Sequence, residues 1–212
     1  MTRAGDPDAA LMALLRAIAA GNSTAVLAML DAEPELGRAA LAITGATRRE
    51  AKAHFLDDIG HYVYRGDTAL HIAAGGYRTD LVRRLLALRS DVRAKNRLGA
   101  EPLHLAAMGM PGAPRFNPPA QAATIGCLIK AGADPNARDK QGVAPLHRAV
   151  RTRCAAAVEA LLAGGADPGL ANGNGSTPMK LAGMTTGRGG SGSPEARAEQ
   201  QKIVKLLRQA LS

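Results

Sequence analysis

Five histidines and two cysteines are the residues best suited to chemistry in this chain, and their spacing decides what they can do. His71, His104 and His147 each end a four-residue pattern: Thr68-Ala-Leu-His71, Glu101-Pro-Leu-His104 and Ala144-Pro-Leu-His147. A fourth segment, Thr177-Pro-Met-Lys180, keeps the pattern with lysine in place of histidine. If each pattern starts a helix, successive imidazoles stand one helix-packing distance apart, about 10 Å. Two ligands of one zinc need bonds of about 2 Å each, so these histidines cannot share a metal and are expected to make structural hydrogen bonds. His54, Asp57, Asp58 and His61 are separated by three, four and seven residues, which on a helix would put imidazole and carboxylate on one face. Gly60 weakens the last turn of such a helix, and charges at this spacing usually form a solvated face, so no metal ligands are assigned.

Cys127 and Cys154 lie in no CxxC or Cys/His ligand spacing and are too few to staple 212 residues; both read as reduced, structural thiols. The chain contains no GxSxG and no HExxH pattern. Its glycine-rich stretch, Thr185 to Pro194, carries Gly-Arg-Gly-Gly-Ser-Gly-Ser. Backbone N–H groups in such a loop can cradle an anion, but the stretch lacks the GK[ST] ending of a P-loop and follows a helix rather than a strand. A flexible solvated loop and an anion site both remain open for it. Neither catalysis nor a cofactor is expected.

The elements that position these residues must be built from little aromatic surface. The aromatic residues are Phe55, Tyr62, Tyr64, Tyr77 and Phe116, against 46% hydrophobic content, so the core must be thin, closely spaced and made of Ala and Leu. The formal charge of +9 is uneven: residues 1–60 carry 6 basic and 8 acidic groups, residues 61–212 carry 21 and 10. Such a field attracts nucleic acid, anionic lipid or an acidic protein. No apolar run approaches the roughly 20 residues that span a bilayer, and the first apolar stretch, broken by Arg16, lacks the flanks of a signal peptide. A cytoplasmic location without membrane contact is the expectation.

The four patterns are spaced by 33, 43 and 33 residues, so one unit holds a ten-residue insertion. Each is followed by a second apolar signal: Val82 with Leu85-Leu86, Ile125 with Leu128-Ile129, Val158 with Leu161-Leu162, and Val204 with Leu206-Leu207. A turn comes next, as in Gly132-Ala-Asp-Pro-Asn-Ala and Gly165-Ala-Asp-Pro. Proline at the second pattern position suits the first turn of a helix, Thr68 and Thr177 suit its N-cap, and Gly132 and Gly165 suit a left-handed C-cap. Arg89 stands where that glycine is expected, which points to local strain or a shifted turn. Ala73-Ala74 and Ala106-Ala107 allow helices to approach closely.

A 33-residue period with these elements resembles the ankyrin repeat family. The resemblance implies an all-α solenoid of about five helix-turn-helix units with degenerate capping repeats and a helical insertion after the first. One domain is expected over residues 1–212: an N-terminal capping repeat at 1–38, the insertion at 39–63 with a helix over Thr47 to Ile59, repeats at 64–95, 96–138 and 139–171, and a C-terminal capping repeat at 172–212. The second helix of that last repeat is expected over Pro194 to Leu211, with Ile203, Leu206, Leu207 and Ala210 on its apolar stripe. Aromatics in the insertion serve either as interface anchors or as cover for an exposed edge.

In ankyrin-like architecture, partners are usually bound by finger tips and the concave face of the first helices. The register puts fingers at Arg93 to Leu98, Arg138 to Gln141 and Leu170 to Asn174. Candidate contacts are Arg93, Lys95, Arg97, Arg138 and Lys140 on the fingers, and Tyr77, Met108, Arg148 and Arg151 on the concave side, with Gly75, Gly76 and Thr152 beside them. The inter-helix turns present Arg78, Arg115, Arg151 with Arg153, and Arg188 along one edge, a candidate anion site. The reading is therefore a noncatalytic protein-interaction module for an acidic polypeptide. Binding of nucleic acid or a phosphorylated ligand through the same positive field is the alternative; the scarcity of interleaved aromatics and the lack of a reading motif count against nucleic acid.

Overall fold

A computed structural model describes residues 7–42, 54–109, 116–184 and 194–212. Among the described residues five helix pairs follow one another: α1 (Pro7–Ala20) with α2 (Ser23–Ala32), α3 (Ala69–Gly75) with α4 (Thr79–Ala87), α5 (Pro102–Ala106) with α6 (Pro118–Lys130), α7 (Pro145–Arg151) with α8 (Ala155–Ala163), and α9 (Pro178–Ala182) with α10 (Pro194–Leu211). Contacts run α1–α3–α5–α7–α9 in one layer and α4–α6–α8–α10 in the other. The chain is thus an all-α two-layer solenoid.

The starts of the helices follow from sequence chemistry. Pro102, Pro145 and Pro178 occupy the first helical positions, where no N–H is needed. Thr68 and Thr177 accept hydrogen bonds from the backbone N–H groups of His71 and Lys180. Ala144 and Glu101 make no side-chain cap bond. The core between the layers is aliphatic: Leu70, Ile72, Leu85, Leu103, Ile125, Leu128, Val158 and Leu161 are fully buried, as are Ala73, Ala74, Ala106, Ala107 and Ala149. None of the five aromatic rings is buried. In α10, Ile203 and Leu207 face the core, Leu206 is half-buried, and Lys202, Lys205 and Arg208 are exposed; Ala210, expected on the apolar stripe, is exposed near the helix end.

The three repeat histidines tie neighbouring units together. The backbone N–H groups of Thr68, Glu101 and Ala144 donate to Nδ1 of His71, His104 and His147 at 3.2, 3.1 and 3.2 Å. With Nδ1 accepting, Nε2 carries the proton and donates to the carbonyls of Ala100, Val143 and Ser176 in the next unit, at 3.0, 3.1 and 3.2 Å. Each ring is fully buried. Burial disfavours the imidazolium and lowers all three pKa values, that of His104 from 6.5 to about 4.

The insertion departs from expectation. The described end of the segment expected as a helix over Thr47 to Ile59 is a small antiparallel hairpin, β1 (Phe55–Leu56) and β2 (His61–Tyr62), joined by a 3-10 turn at Asp57–Ile59; residues 43–53 lie outside the described residues. Gly60 adopts φ 60°, ψ 36°, which closes the turn. The hairpin brings the Phe55 and Tyr62 rings to 4.5 Å and buries Leu56 and Ile59, burial that a helix pattern matches equally well by count. His54, Asp57, Asp58 and His61 therefore do not share a helical face. His61 instead meets the buried Asp67 carboxylate at 3.0 Å.

At the end of α4 the chain turns as it does after α6 and α8. The N–H groups of Arg89, Gly132 and Gly165 donate to the carbonyls of Leu86, Ile129 and Leu162, and φ is 62°, 100° and 90°. The turn is thus not shifted at Arg89; a residue with a Cβ is forced into the left-handed region.

Two outcomes follow for stability. Arg89→Gly removes a left-handed penalty of about 1–2 kcal/mol against a glycine entropy cost of about 0.5–1, so chemical denaturation should show a gain of about 1 kcal/mol. Acid should weaken the fold: unfolded histidine takes up a proton through pH 6.5 while His104 resists to about 4, so stability is complete above 6.5 and falls below it. For His104 alone the loss between pH 7 and pH 5 is about 2 kcal/mol, with His71 and His147 adding in the same direction. Urea unfolding at the two pH values checks this, and equal stabilities would refute it.

Candidate partner-binding surface

Each finger is organised by one side chain at the repeat spacing. Asn96 Oδ1 accepts from the N–H groups of Leu98 and Ala100, Asp139 Oδ1 from Gln141 and Val143, and Asn172 Oδ1 from Asn174 and Ser176, at 2.9–3.1 Å. Backbone bonds then join finger to finger. Arg97 N–H donates to Arg65 O, Lys140 N–H to Leu98 O and Gly173 N–H to Gln141 O, at 2.7, 3.0 and 3.0 Å. At Gly142, φ is 70° and a Cβ would lie 2.6 Å from Gly173 N, so this close approach requires glycine.

The ladder brings the cationic side chains of two fingers together. Arg93, Lys95, Arg97, Arg138 and Lys140 are all exposed. Arg93 meets Asp134 at 3.5 Å and Lys95 meets Glu101 at 3.8 Å, while Arg97 lies over the Tyr64 ring, 5.2 Å from its centroid. Neither Arg138 nor Lys140 has a carboxylate partner among the described residues. Burial raises the Glu101 pKa against the pull of Arg93 and Lys95, and neither carboxyl oxygen has a hydrogen bond among the described residues. Pairs that are more than half exposed on the basic side contribute little to the fold, so both cations are available to a competing carboxylate.

Sequence reasoning overlooked one member of this surface and left a second, placed on its finger, out of the candidate contacts. Arg65 is exposed on the finger before Arg97 and accepts its backbone bond, at the position that Leu98 and Gln141 occupy 33 and 76 residues later. The same register could have found it. Leu98 is 40% exposed at the tip between the two basic fingers and adds apolar contact area.

The expected concave residues divide. Met108 is 40% exposed, and half-buried Tyr77 donates its O–H to the Met108 carbonyl. Ile59, Gly75, Gly76, Leu105 and Phe116 complete an apolar dimple around them. Arg148 is bound to Asp139 at 2.9 Å, with the two side chains 17% and 6% exposed. Burial would raise the Asp139 pKa, but the Arg148 side chain and the N–H groups of Val143 and Gln141 outweigh it and hold the carboxylate ionised. Arg151 is exposed.

The inter-helix turns place their arginines differently from one another. Arg78 is half-buried and donates to Ala19 O at 3.3 Å, near the end of α1, where carbonyls lack intrahelical partners. Arg153 is 4% exposed and donates to the carbonyls of Met184 and Ala196 and to Gln200 Oε1. Its backbone counterpart two units earlier in the register is Tyr77 rather than Arg78: both have φ 56°. Arg115 and Arg188, like the glycine-rich stretch 185–193, lie outside the described residues.

Cys154 is buried, and burial pushes its thiol up to about 11, so it is protonated at neutral pH. Among the described residues no group of three or more His, Cys, Asp or Glu side chains is placed to hold a metal, and no helix is long and apolar enough to cross a membrane.

A family model for the ankyrin repeat matches residues 65–97, and a second, for ankyrin repeats in many copies, matches residues 128–182. No curated protein matches the chain. The matched spans contain His71 and His147, which link to the next unit, and the Asx residues at 96, 139 and 172 on which the fingers are built. On period, stacking and family match together, the chain belongs to the ankyrin repeat family.

Proposed function

We propose that this chain is a noncatalytic interaction module that binds an acidic polypeptide segment along its basic fingers. Ankyrin repeats are generally protein–protein interaction modules, and what singles out a partner class here is the charge on two adjacent fingers. The carrying observation is the main-chain bond from Lys140 N–H to Leu98 O, which holds Arg93, Lys95 and Arg97 beside Arg138 and Lys140 on a rigid, exposed ladder. Long cationic side chains on a preorganised backbone bind carboxylates without the cost of ordering a loop. Leu98 and Met108 supply apolar area beside the charges. Arg65 extends the row by one finger.

Nucleic acid would be drawn by the same field, yet the exposed fingers carry no aromatic ring for stacking, and Tyr64 lies beneath Arg97. The three repeat histidines are engaged in inter-repeat bonds and Cys154 is buried as a thiol, which supports a binding role over a catalytic one.

Fluorescence anisotropy with a labelled Glu-rich peptide tests the reading, with labelled DNA and RNA in parallel at two salt concentrations. The quadruple variant Lys95→Glu, Arg97→Glu, Arg138→Glu and Lys140→Glu should keep its helical circular dichroism and lose peptide binding by at least about tenfold. Equal binding by the variant, or tighter binding of nucleic acid than of peptide, would overturn it.

A further inference from the structure

Between the last finger and the C-terminal helix pair lies a cavity whose charge is unbalanced. Its polar lining is Arg151, Arg153, Asn172, Asn174, Ser176 and Gln200, and Leu181 and Ile203 contribute apolar wall. Among the described residues no carboxylate lines it; Glu199, on the C-terminal helix, instead accepts from Ala155 N–H at 3.1 Å. We propose that this cavity is an oxyanion site that takes a phosphate monoester.

Arg153 carries the argument. Its side chain is buried, and all of its partners are neutral: Gln200 Oε1 at 3.1 Å, Met184 O at 3.3 Å and Ala196 O at 3.4 Å. Among the described residues no carboxylate lies within ion-pair distance of it, whereas the comparably covered Arg148 has Asp139 at 2.9 Å. Buried charges in proteins are paired, and a guanidinium that lines a polar cavity finds its counter-charge in a ligand. Three of its five N–H groups are engaged, leaving two for an anion.

The other donors come from separate elements. Arg151, at the end of α7, is exposed and makes no hydrogen bond or ion pair among the described residues. Asn172 engages its Oδ1 with the N–H groups of Asn174 and Ser176, and its amide N–H pair has no acceptor among the described residues. Two guanidinium charges with no acid between them among the described residues match a dianion better than a single carboxylate, and donors from a turn and a finger suit a tetrahedral group approached from several directions. The site shares no residue with the basic row Arg93, Lys95, Arg97, Arg138 and Lys140, so it stands or falls apart from the peptide reading.

Titration calorimetry at constant ionic strength tests it, using inorganic phosphate, a phosphoserine tripeptide, glucose 6-phosphate and free glutamate. Saturable phosphate binding is expected, with glutamate at least about tenfold weaker. The tighter of the two esters then assigns the source as a phosphopeptide or a small phosphometabolite, and either result supports the site. Arg153 also ties the end of α9 to α10, so the variants are Arg151→Gln and Asn174→Ala, which alter exposed residues. Arg151→Gln should bind phosphate at least about tenfold more weakly at unchanged melting temperature, and Asn174→Ala should show a smaller loss. Absence of saturable binding, equal affinity for glutamate, or wild-type phosphate affinity in Arg151→Gln would overturn the proposal.

Discussion

A neutral imidazole bonded at both nitrogens sets the geometry of this solenoid. The ring of each repeat histidine accepts from the N–H of the residue that starts its own helix and donates to a carbonyl of the following unit. Those carbonyls, on Ala100, Val143 and Ser176, also accept the N–H groups of Asn96, Asp139 and Asn172, the bonds that close the next finger. One oxygen therefore joins the helix of one unit to the finger of the next, using both lone pairs. The angle between successive fingers is not left to side-chain packing, which in an Ala and Leu core is weakly directional.

The surface depends on that constraint. The ladder of finger-to-finger backbone bonds requires the fingers to meet in register, and the Asx side chains at 96, 139 and 172 hold each finger closed from within. Cationic side chains on such a frame keep their spacing whether or not a partner is bound. Acidic groups near the fingers are partly withdrawn: Asp139 is covered by Arg148, and Glu101 is buried beneath Lys95. The positive field over the fingers is thus sharper than the net charge of the chain suggests. At the C-terminal end the buried Arg153 adds a second, separate positive centre.

Local chemistry was readable from the sequence, and contacts between distant segments were not. The spacing of 33, 43 and 33 residues, the prolines at helix starts and the small Ala pairs suffice for a two-layer helical stack, because each is a short-range signal repeated. The structural role of the histidines was readable too, since repetition at fixed spacing excludes a shared metal. The hairpin at residues 55–62 escaped because Phe55, Leu56 and Ile59 satisfy a helical spacing and a turn equally well. Arg78 and Arg153 both fall in inter-helix turns, but seven and six residues after their repeat histidines, and that shift of one residue sends the side chain to a different neighbour. The cavity lined by Arg151, Asn172 and Gln200 joins three segments that no local pattern connects.

The protonation state of the three rings tests this account most directly. Nitrogen-15 and carbon-13 chemical shifts of His71, His104 and His147 report which ring nitrogen holds the proton. The account predicts the neutral Nε2–H tautomer for all three at neutral pH, with His104 unprotonated as long as the protein stays folded down to pH 5. Rings in the Nδ1–H tautomer, or a His104 that titrates near 6.5 in the folded protein, would contradict it.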